Sequence, residues 1–520
     1  MAERGAILGV AAEALAPRWL FLRALGLIFF SAFYSLARQV HGLIGVHGVL
    51  PAADYLDRVS AAVGGVARFW YVPSLFWMNA GDTALTVGVV AGIAGSLMLV
   101  LNIWPRVAAA VCMVTFLAFV AALQDFSSYQ SDGMLLEAGA ISIFFAPRGM
   151  RPGLGGDDPP SWISLFMLRW EWFRIYFESG LVKLMSGDPH WRNFTAMDDY
   201  YQNGPLPAWP GWYVQHLPHW YHAATVGVTL VVELVIVWAV FLPRRARFGC
   251  FAVVTALQIG IIATANYAFL NYLVLVLGVL LLDDRAIEWT VARVPFGRAL
   301  AARRLVAQAG GGEGHEARRL VPWRVFEIGM LGWMFYATLW AFAAPGSPSV
   351  LATPEHALAP FRIANGYGLF AVMTPARYEV EFQGSNDDGA TWTAYPFRYK
   401  PQDPMERPGV YAPYQPRFEW NLWFASLAPW QESPWVVAAQ ARLLEGSRDV
   451  LALFRRDPFG GRPPKQVRTV LWQYWFTDYA TQRATGAWWR RSYLGVFTGV
   501  AERDSTGRVQ FIPSAAPRSD

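Results

Sequence analysis

The chain reads as an α-helical polytopic membrane bundle of about nine spans, followed by a soluble β-rich C-terminal domain with packed helices. Three observations predict this. Hydrophobic residues make up 54% of the 520 and charged residues only 16%, with a mean hydropathy of +0.26. Apolar stretches long enough to cross a bilayer recur through the first two thirds and cease near Ala344. Beyond residue 345, aromatic and polar residues alternate between turn signals, the pattern of half-buried strands.

In order, the apolar windows are 19–37, 84–104, 107–123, 162–184, 223–243, 248–264, 267–282 and 324–344. Met134–Ala146, which contains Glu137, is read as a ninth helix, since the loop 124–161 would otherwise be long and oddly apolar. The short link after 264 predicts a tight helical hairpin. The first window follows Arg18, contains Arg23 and lacks a small-residue cleavage site, so it is expected to be retained. Inner loops then hold Arg106, Arg148, Arg151, Arg244, Arg245, Arg247 and a basic run from Arg285 to Arg324. Outer loops hold Arg38, Arg58, Arg68 and Arg192. The positive-inside rule therefore places the N-terminus inside and, after nine spans, the C-terminus outside.

The expected domains are 1–344, with an outer loop 185–222 and an inner linker 285–323, and 345–520. Gly310–Gly314 is a flexible linker and no phosphate loop, because no Gly-Lys-Ser/Thr follows it. The net charge of +5 comes from loop arginines and reports topology; no nucleic-acid partner is expected. Cys112 and Cys250 both fall in apolar windows, which excludes a disulfide framework and a C-x-x-C redox site.

The most informative stretch is Leu168–Phe194. Within an apolar window it carries Arg169, Glu171, Arg174, Glu178 and Lys183. Each ionisable group at membrane depth costs about 2.5–3.5 kcal/mol on insertion scales, so such groups turn inward and pair. Helical spacing suggests Glu171 with Arg174 and Arg174 with Glu178. Two readings stay open: internal glue between helices, or a cavity lined by Glu178 and Lys183. Only three of the 43 basic residues are lysines (Lys183, Lys400, Lys465). Lysine is the base that burial brings toward neutrality. The window ends at Ser186-Gly187-Asp188-Pro189, with Trp191, Arg192 and Asn193 at the expected interface. In the outer loop His216, His219 and His222 have helical spacing, but Pro218 interrupts it and no carboxylate is near in sequence. A lid over the outer mouth is expected there, not a metal site, and neither metal nor cofactor is expected anywhere.

In the C-terminal part, Tyr378, Val380 and Phe382 alternate, as do Tyr395, Phe397 and Tyr399, around Ser385-Asn386-Asp387-Asp388-Gly389. That predicts a β-hairpin with Asp-Gly turn chemistry, a single Asp-box staple without glycosidase significance. Trp435–Phe454 reads as an amphipathic helix and Gln466–Thr477 as a strand. Trp420, Trp423, Phe424 and Trp430 precede that helix; Trp472, Trp475, Trp488 and Trp489 follow it. They form either a core of large rings or an exposed surface for a partner chain or the membrane.

The runs S-Y-Q-S-D-G-M-L-L-E-A-G (128–139), F-E-S-G-L-V-K-L-M-S-G-D-P-H-W-R-N (177–193), N-G-P-L-P (203–207), N-G-Y-G-L-F-A-V-M-T (365–374), Q-G-S-N-D-D-G (383–389), A-P-Y-Q-P-R (412–417) and D-P-F-G-G-R-P-P-K (457–465) resemble the lipase maturation factor family. The resemblance implies a chaperone-like membrane protein that assists folding or dimer assembly of exported lipases or other hydrolases. Its animal relatives act in the endoplasmic reticulum membrane, with the C-terminal domain lumenal. Arginine, alanine and glycine richness resembles a chain from a GC-rich bacterium, which implies the inner membrane and a periplasmic C-terminal domain. The implied partners are the lipid bilayer and an exported hydrolase client. Glu137, Arg174, Asp188, Trp191, Arg192, Asn193, Trp420 and Trp423 are candidates for client or ligand binding. A weaker resemblance, to the membrane domain of vitamin K-dependent carboxylases, keeps an enzyme alternative: a quinone-like or lipid substrate, Lys183 as base and Glu178 tuning it. A transporter is the third class, although no inverted repeat is evident.

Overall fold

The computed structural model describes residues 13–127, 129–293, 321–343, 350–504 and 508–512; the expected linker at Gly310–Gly314 lies outside them. Each apolar window is helical. The helices are α1 (Leu15–Ile44), α2 (Asp82–Val100), α3 (Pro105–Ala122), α4 (Gln130–Phe145), α5 (Trp162–Met185), α6 (His219–Leu234, extended by Ile236–Phe241), α7 (Arg244–Thr264), α8 (Leu270–Gly278, extended by Val279–Leu281) and α9 (Val321–Ala343). Local chemistry fixes their ends. Pro105 occupies the first turn of α3, where no amide hydrogen is needed. Ser161 caps α5 by accepting from the Ser164 N–H. Gly187, at φ +83°, turns the chain just beyond α5.

Six helices among the described residues are long and apolar enough to cross a membrane: α1, α2, α3, extended α6, α7 and α9. The chain is an integral membrane protein. The expected nine spans reduce to six on this measure. The 16 residues of α4 reach about 24 Å at 1.5 Å per residue, short of a hydrocarbon core of about 30 Å. α8 is shorter still, and α5 carries five ionisable side chains.

α1 is the mast of the bundle, packed on α2, α3, α4 and α8. The Phe33 ring presses into α2 at Gly92, where a Cβ would lie 2.2 Å from it, and Phe29 and Phe33 meet Phe116 of α3 edge-on. At one end of the bundle Arg18 donates to the carbonyls of Leu154, Gly155 and Asp158. Arg106 there donates to the Ala146 carbonyl, and Arg244 pairs with Asp283. At the other end the C-terminal domain is seated on the loops. Arg442 donates to the Gly48 carbonyl (2.9 Å), Asn421 to Asp125 (2.7 Å) and Trp423 to Asn203 (3.1 Å).

That domain holds an antiparallel sheet in the order β2-β1-β3-β4-β5. Its strands are β1 (Arg377–Ser385), β2 (Thr393–Ala394), β3 (Gln466–Phe476), β4 (Trp489–Arg503) and β5 (Val509–Ile512). α10 (Arg417–Ala425) and α11 (Trp435–Leu444) pack on it. Gln440 of α11 donates to the carbonyls of Val467 and Gly499. Phe382, Tyr395, Phe397, Phe418 and Phe454 fill the space between.

The hairpin and the 466–477 strand form as expected, with two corrections. The second hairpin strand is confined to Thr393–Ala394. Beyond it the amides of Arg398, Tyr399 and Lys400 are taken by the Glu419 carboxylate at 2.8, 2.8 and 2.7 Å, so no ladder continues. The helix expected over Trp435–Phe454 breaks at Gly446, φ +71°, and a short turn from Arg448 to Leu451 follows. The hairpin tip is stapled as its residues imply: Ser385 donates to Asp387 (2.7 Å), and Asp387 accepts from the Thr391 amide (2.9 Å) and hydroxyl (2.6 Å). Of the two ring clusters, Trp420, Trp423 and Trp489 are buried, Trp430, Trp472, Trp475 and Trp488 are half-buried, and Phe424 is 47% exposed; the clusters are part core and part surface.

Candidate functional site

The charged face of α5 is buried, and its partners come from other elements as well as its own. Arg174 donates to Glu137 of α4 and stands 3.9 Å from Glu178. The expected pairing of Glu171 with Arg174 is not made. Glu171 is fully buried, and its carboxylate oxygens meet no hydrogen-bond donor among the described residues.

What this face receives is the segment 365–374. Arg174 donates to the Asn365 carbonyl. Glu137 accepts from the Asn365 amide (3.2 Å) and the Tyr367 hydroxyl (2.8 Å), while Glu178 accepts from the Tyr367 amide (2.6 Å). Ser179 accepts from the Leu369 amide at 3.2 Å. The breaker after α5 continues the contact. Asp188 accepts from the amides of His190 (2.9 Å) and Met373 (2.6 Å), and Trp191 donates to the Phe370 carbonyl at 3.0 Å. Four of the seven sequence runs thus interlock, for Asn203 also donates to the Thr374 carbonyl (2.8 Å) and Arg377 to that of Gln202 (3.0 Å). Irregular backbone at the bundle's edge needs its amides and carbonyls satisfied; the α5 face supplies this. The candidates Glu137, Arg174, Asp188 and Trp191 share this clasp. Arg192 and Asn193 are exposed beside it. Trp420 and Trp423 are buried under the C-terminal domain, against Tyr129 and Asn203.

Lys183 does not partner Glu178. It turns the other way, donating to both carboxylate oxygens of Glu233 on α6 (3.0 and 2.8 Å) and to the Ser179 carbonyl (3.3 Å), with the Trp191 ring 5.1 Å away. The enzyme alternative needs a free amine tuned by Glu178; the geometry is an ion pair with a different acid. This pair lines a cavity of about 340 Å³ between α5, α6, α7 and α8, closed above by Trp191, Tyr200, Tyr201 and Phe370. Glu178 is outside the lining. Deeper in the wall, Gln258 donates to the Tyr176 hydroxyl (2.8 Å) and accepts from Asn271 (2.7 Å).

The three outer-loop histidines diverge. His216 faces the Trp212 carbonyl (2.6 Å), His219 meets Asp198 at 3.0 Å, and His222 is buried against the Tyr201 ring. The fold therefore does bring a carboxylate to one of them, contrary to the sequence reading. Among the described residues no three His, Cys, Asp or Glu groups could hold a metal ion.

Sequence reasoning missed two buried pairs. Glu233 is the lone acid of its apolar window, and a lone intramembrane charge calls for a partner. Asp132 accepts two bonds from Arg417 (2.7 and 2.8 Å), both side chains fully buried, and so ties α4 to α10 across 285 residues of sequence. Both residues stand inside the quoted runs, but only the fold makes them neighbours.

Comparison with known proteins adds the following. The family model "Lipase maturation factor transmembrane domain" matches residues 16–289, and "Lipase maturation factor C-terminal domain" matches 363–499. The chain is 30% identical to human lipase maturation factor 2, over 92% of this chain and 82% of that protein. It is also 30% identical to bovine lipase maturation factor 1, over 94% of this chain and 90% of that one. Mouse lipase maturation factor 1 is again 30% identical, over 92% and 86% respectively. No solved structure matches the chain.

Proposed function

Because the chain belongs to the lipase maturation factor family, we propose that it is a membrane-bound maturation factor that assists folding or dimer assembly of exported lipases or related hydrolases. The match of both family domains, together with relatives that align over 92% and 94% of the chain, carries this reading. The clasp supports it physically. Segment 365–374, held by Glu137, Arg174, Glu178 and Asp188, fixes the aromatic-rich C-terminal domain to the bundle, so that a client would meet a platform at constant height above the membrane. The client's apolar pairing surface would be sheltered there until its second copy arrives.

In the full topology we infer nine crossings, with α4, α5 and α8 running between the same two ends as the six longer helices. The Arg18–Arg106–Arg244 end is then cytoplasmic and the C-terminal domain extracytoplasmic, periplasmic in a bacterial inner membrane. Affinity purification of the full chain from membranes should recover an exported hydrolase, caught as monomer in excess of dimer. Deleting the chain should lower the yield of active dimeric lipase while leaving its transcript unchanged. Unaltered dimer yield in the deletion strain would sink the proposal.

A further inference from the structure

The cavity between α5, α6, α7 and α8 meets the clasp only at Ser179, Trp191, Leu369 and Phe370, and its construction points to a ligand. Three small residues one and two turns apart on α7, Ala256, Gly260 and Ala263, both line it and are exposed. Around them Val228, Val231, Val253 and Ile259 present apolar side chains outward, as lipid-facing helix surfaces do. The opening therefore faces the bilayer sideways, between α6 and α7. Inside, the wall is apolar and aromatic except for Lys183–Glu233, the Tyr176–Gln258–Asn271 chain and the hydroxyls of Ser179, Thr225, Thr229 and Thr264, which donate to carbonyls of their own helices.

The polar end carries no net charge, because one ammonium meets one carboxylate. It still offers hydrogen bonds: Tyr176 accepts from Gln258 and keeps its own O–H to donate. A fatty-acid carboxylate would be set beside Glu233, which like-charge repulsion disfavours. A phospholipid brings the same anionic difficulty and two chains, whereas 340 Å³ stands at the small end of ligand cavities, about 300–1,000 Å³. We propose that this cavity binds a neutral single-chain lipid from the bilayer, one acyl or alkyl chain bearing a hydroxyl or ester head group, as in a monoacylglycerol. The chain lies along α7 through the small-residue opening and the head reaches Tyr176 and the Lys183–Glu233 pair. This goes beyond the maturation role and does not depend on any client.

The probe is a 1-monoacylglycerol with a chain diazirine, photolysed on the purified full-length protein in nanodiscs, with cross-linked peptides mapped by mass spectrometry. Label is expected on the peptides of α6 and α7. Excess monooleoylglycerol should compete it away; oleate or phosphatidylcholine should not. Beyond its own helical turn, no heavy atom of the described residues lies within 4 Å of a Cβ built at Gly260, so Gly260→Trp places an indole at the opening without a clash against a neighbouring element. Thr229→Trp fills the wall from α6. Each should reduce labelling about tenfold or more, by displacing chain methylenes, at an unchanged unfolding temperature. Labelling that survives in both variants, or is competed equally by phosphatidylcholine, would overturn the proposal and mark ordinary boundary lipid. Should either variant fail to fold, the competition profile on the unaltered chain decides.

Discussion

Arg417 and Asp132 form the most completely buried ion pair among the described residues: neither is reached by water and each is the other's counter-ion. Removing one partner from a buried pair costs about 3–5 kcal/mol, whereas replacing both by apolar groups is often neutral. Arg417→Met should therefore lower the unfolding temperature of the detergent-solubilised protein sharply, and Asp132→Leu with Arg417→Met should recover much of the loss. Equal damage in the single and double variants would show that the pair acts through something other than its charges. Glu419 is the residue to test by pH. Burial pushes its carboxyl up to about 7 from 4.5, against the opposing pull of the amides of Arg398, Lys400 and Tyr399. A raised carboxyl binds its proton more tightly when folded. Its stabilising contribution is present below about pH 4.5 and is lost as pH rises to about 7, on the order of 3 kcal/mol in all. Chemical denaturation at pH 5 and pH 7.5 should show this fall. Glu419→Gln should flatten it, while itself costing about 1–3 kcal/mol for an amide left without an acceptor. A slope identical in the two proteins would assign the pH dependence elsewhere.

At the scale of elements, α5 was legible in the sequence as a helix with an inward charged face, but half of its pairings were not. Helical spacing proposes Glu171 and Glu178 for Arg174 and no partner for Lys183, because sequence offers only neighbours on the same helix. The fold supplies Glu137 and Glu233 from α4 and α6, contacts 37 and 50 residues away. The hairpin staple was legible in full because all its partners lie within four residues of Asp387. The second hairpin strand was not, since its amides go to Glu419, about 20 residues on. Local rules thus recovered local bonds. The clasp makes its own prediction: Asp188→Ala removes the acceptor of the Met373 amide and of its own helix cap. The 365–374 segment should then become accessible to chymotrypsin in the intact membrane protein, with new cuts at Tyr367 or Phe370. Phe382 and Trp392, the chymotrypsin sites that flank the hairpin tip, should keep their wild-type resistance. An unchanged digestion pattern would mean the segment is held without Asp188.

At the scale of the whole molecule, the two ends of the bundle are chemically distinct, and that difference is what topology must obey. Arg18, Arg106, Arg148, Arg244 and Arg247 gather at one end around Asp158 and Asp283, while the other end carries the sheet domain and the aromatic outer loop. Lysines and arginines resist transfer across a membrane during insertion, so the proposed topology puts the basic end inside. Both native cysteines are buried in helices, which leaves the protein silent to a polar maleimide and suits it to single-cysteine labelling. Asp388→Cys at the exposed hairpin tip should react in intact spheroplasts, and Met150→Cys beside the Arg148 cluster should react only after lysis. Both sites are more than half exposed, Asp388 by 82% of its side chain and Met150 by 56%, so failure to label reports the membrane barrier and not burial. If α4 did not cross, the five helices α5–α9 would still separate positions 150 and 388 but the pattern would invert, Met150→Cys reacting in intact spheroplasts and Asp388→Cys only after lysis, and the nine-span arrangement would have to be abandoned along with the periplasmic placement of the platform.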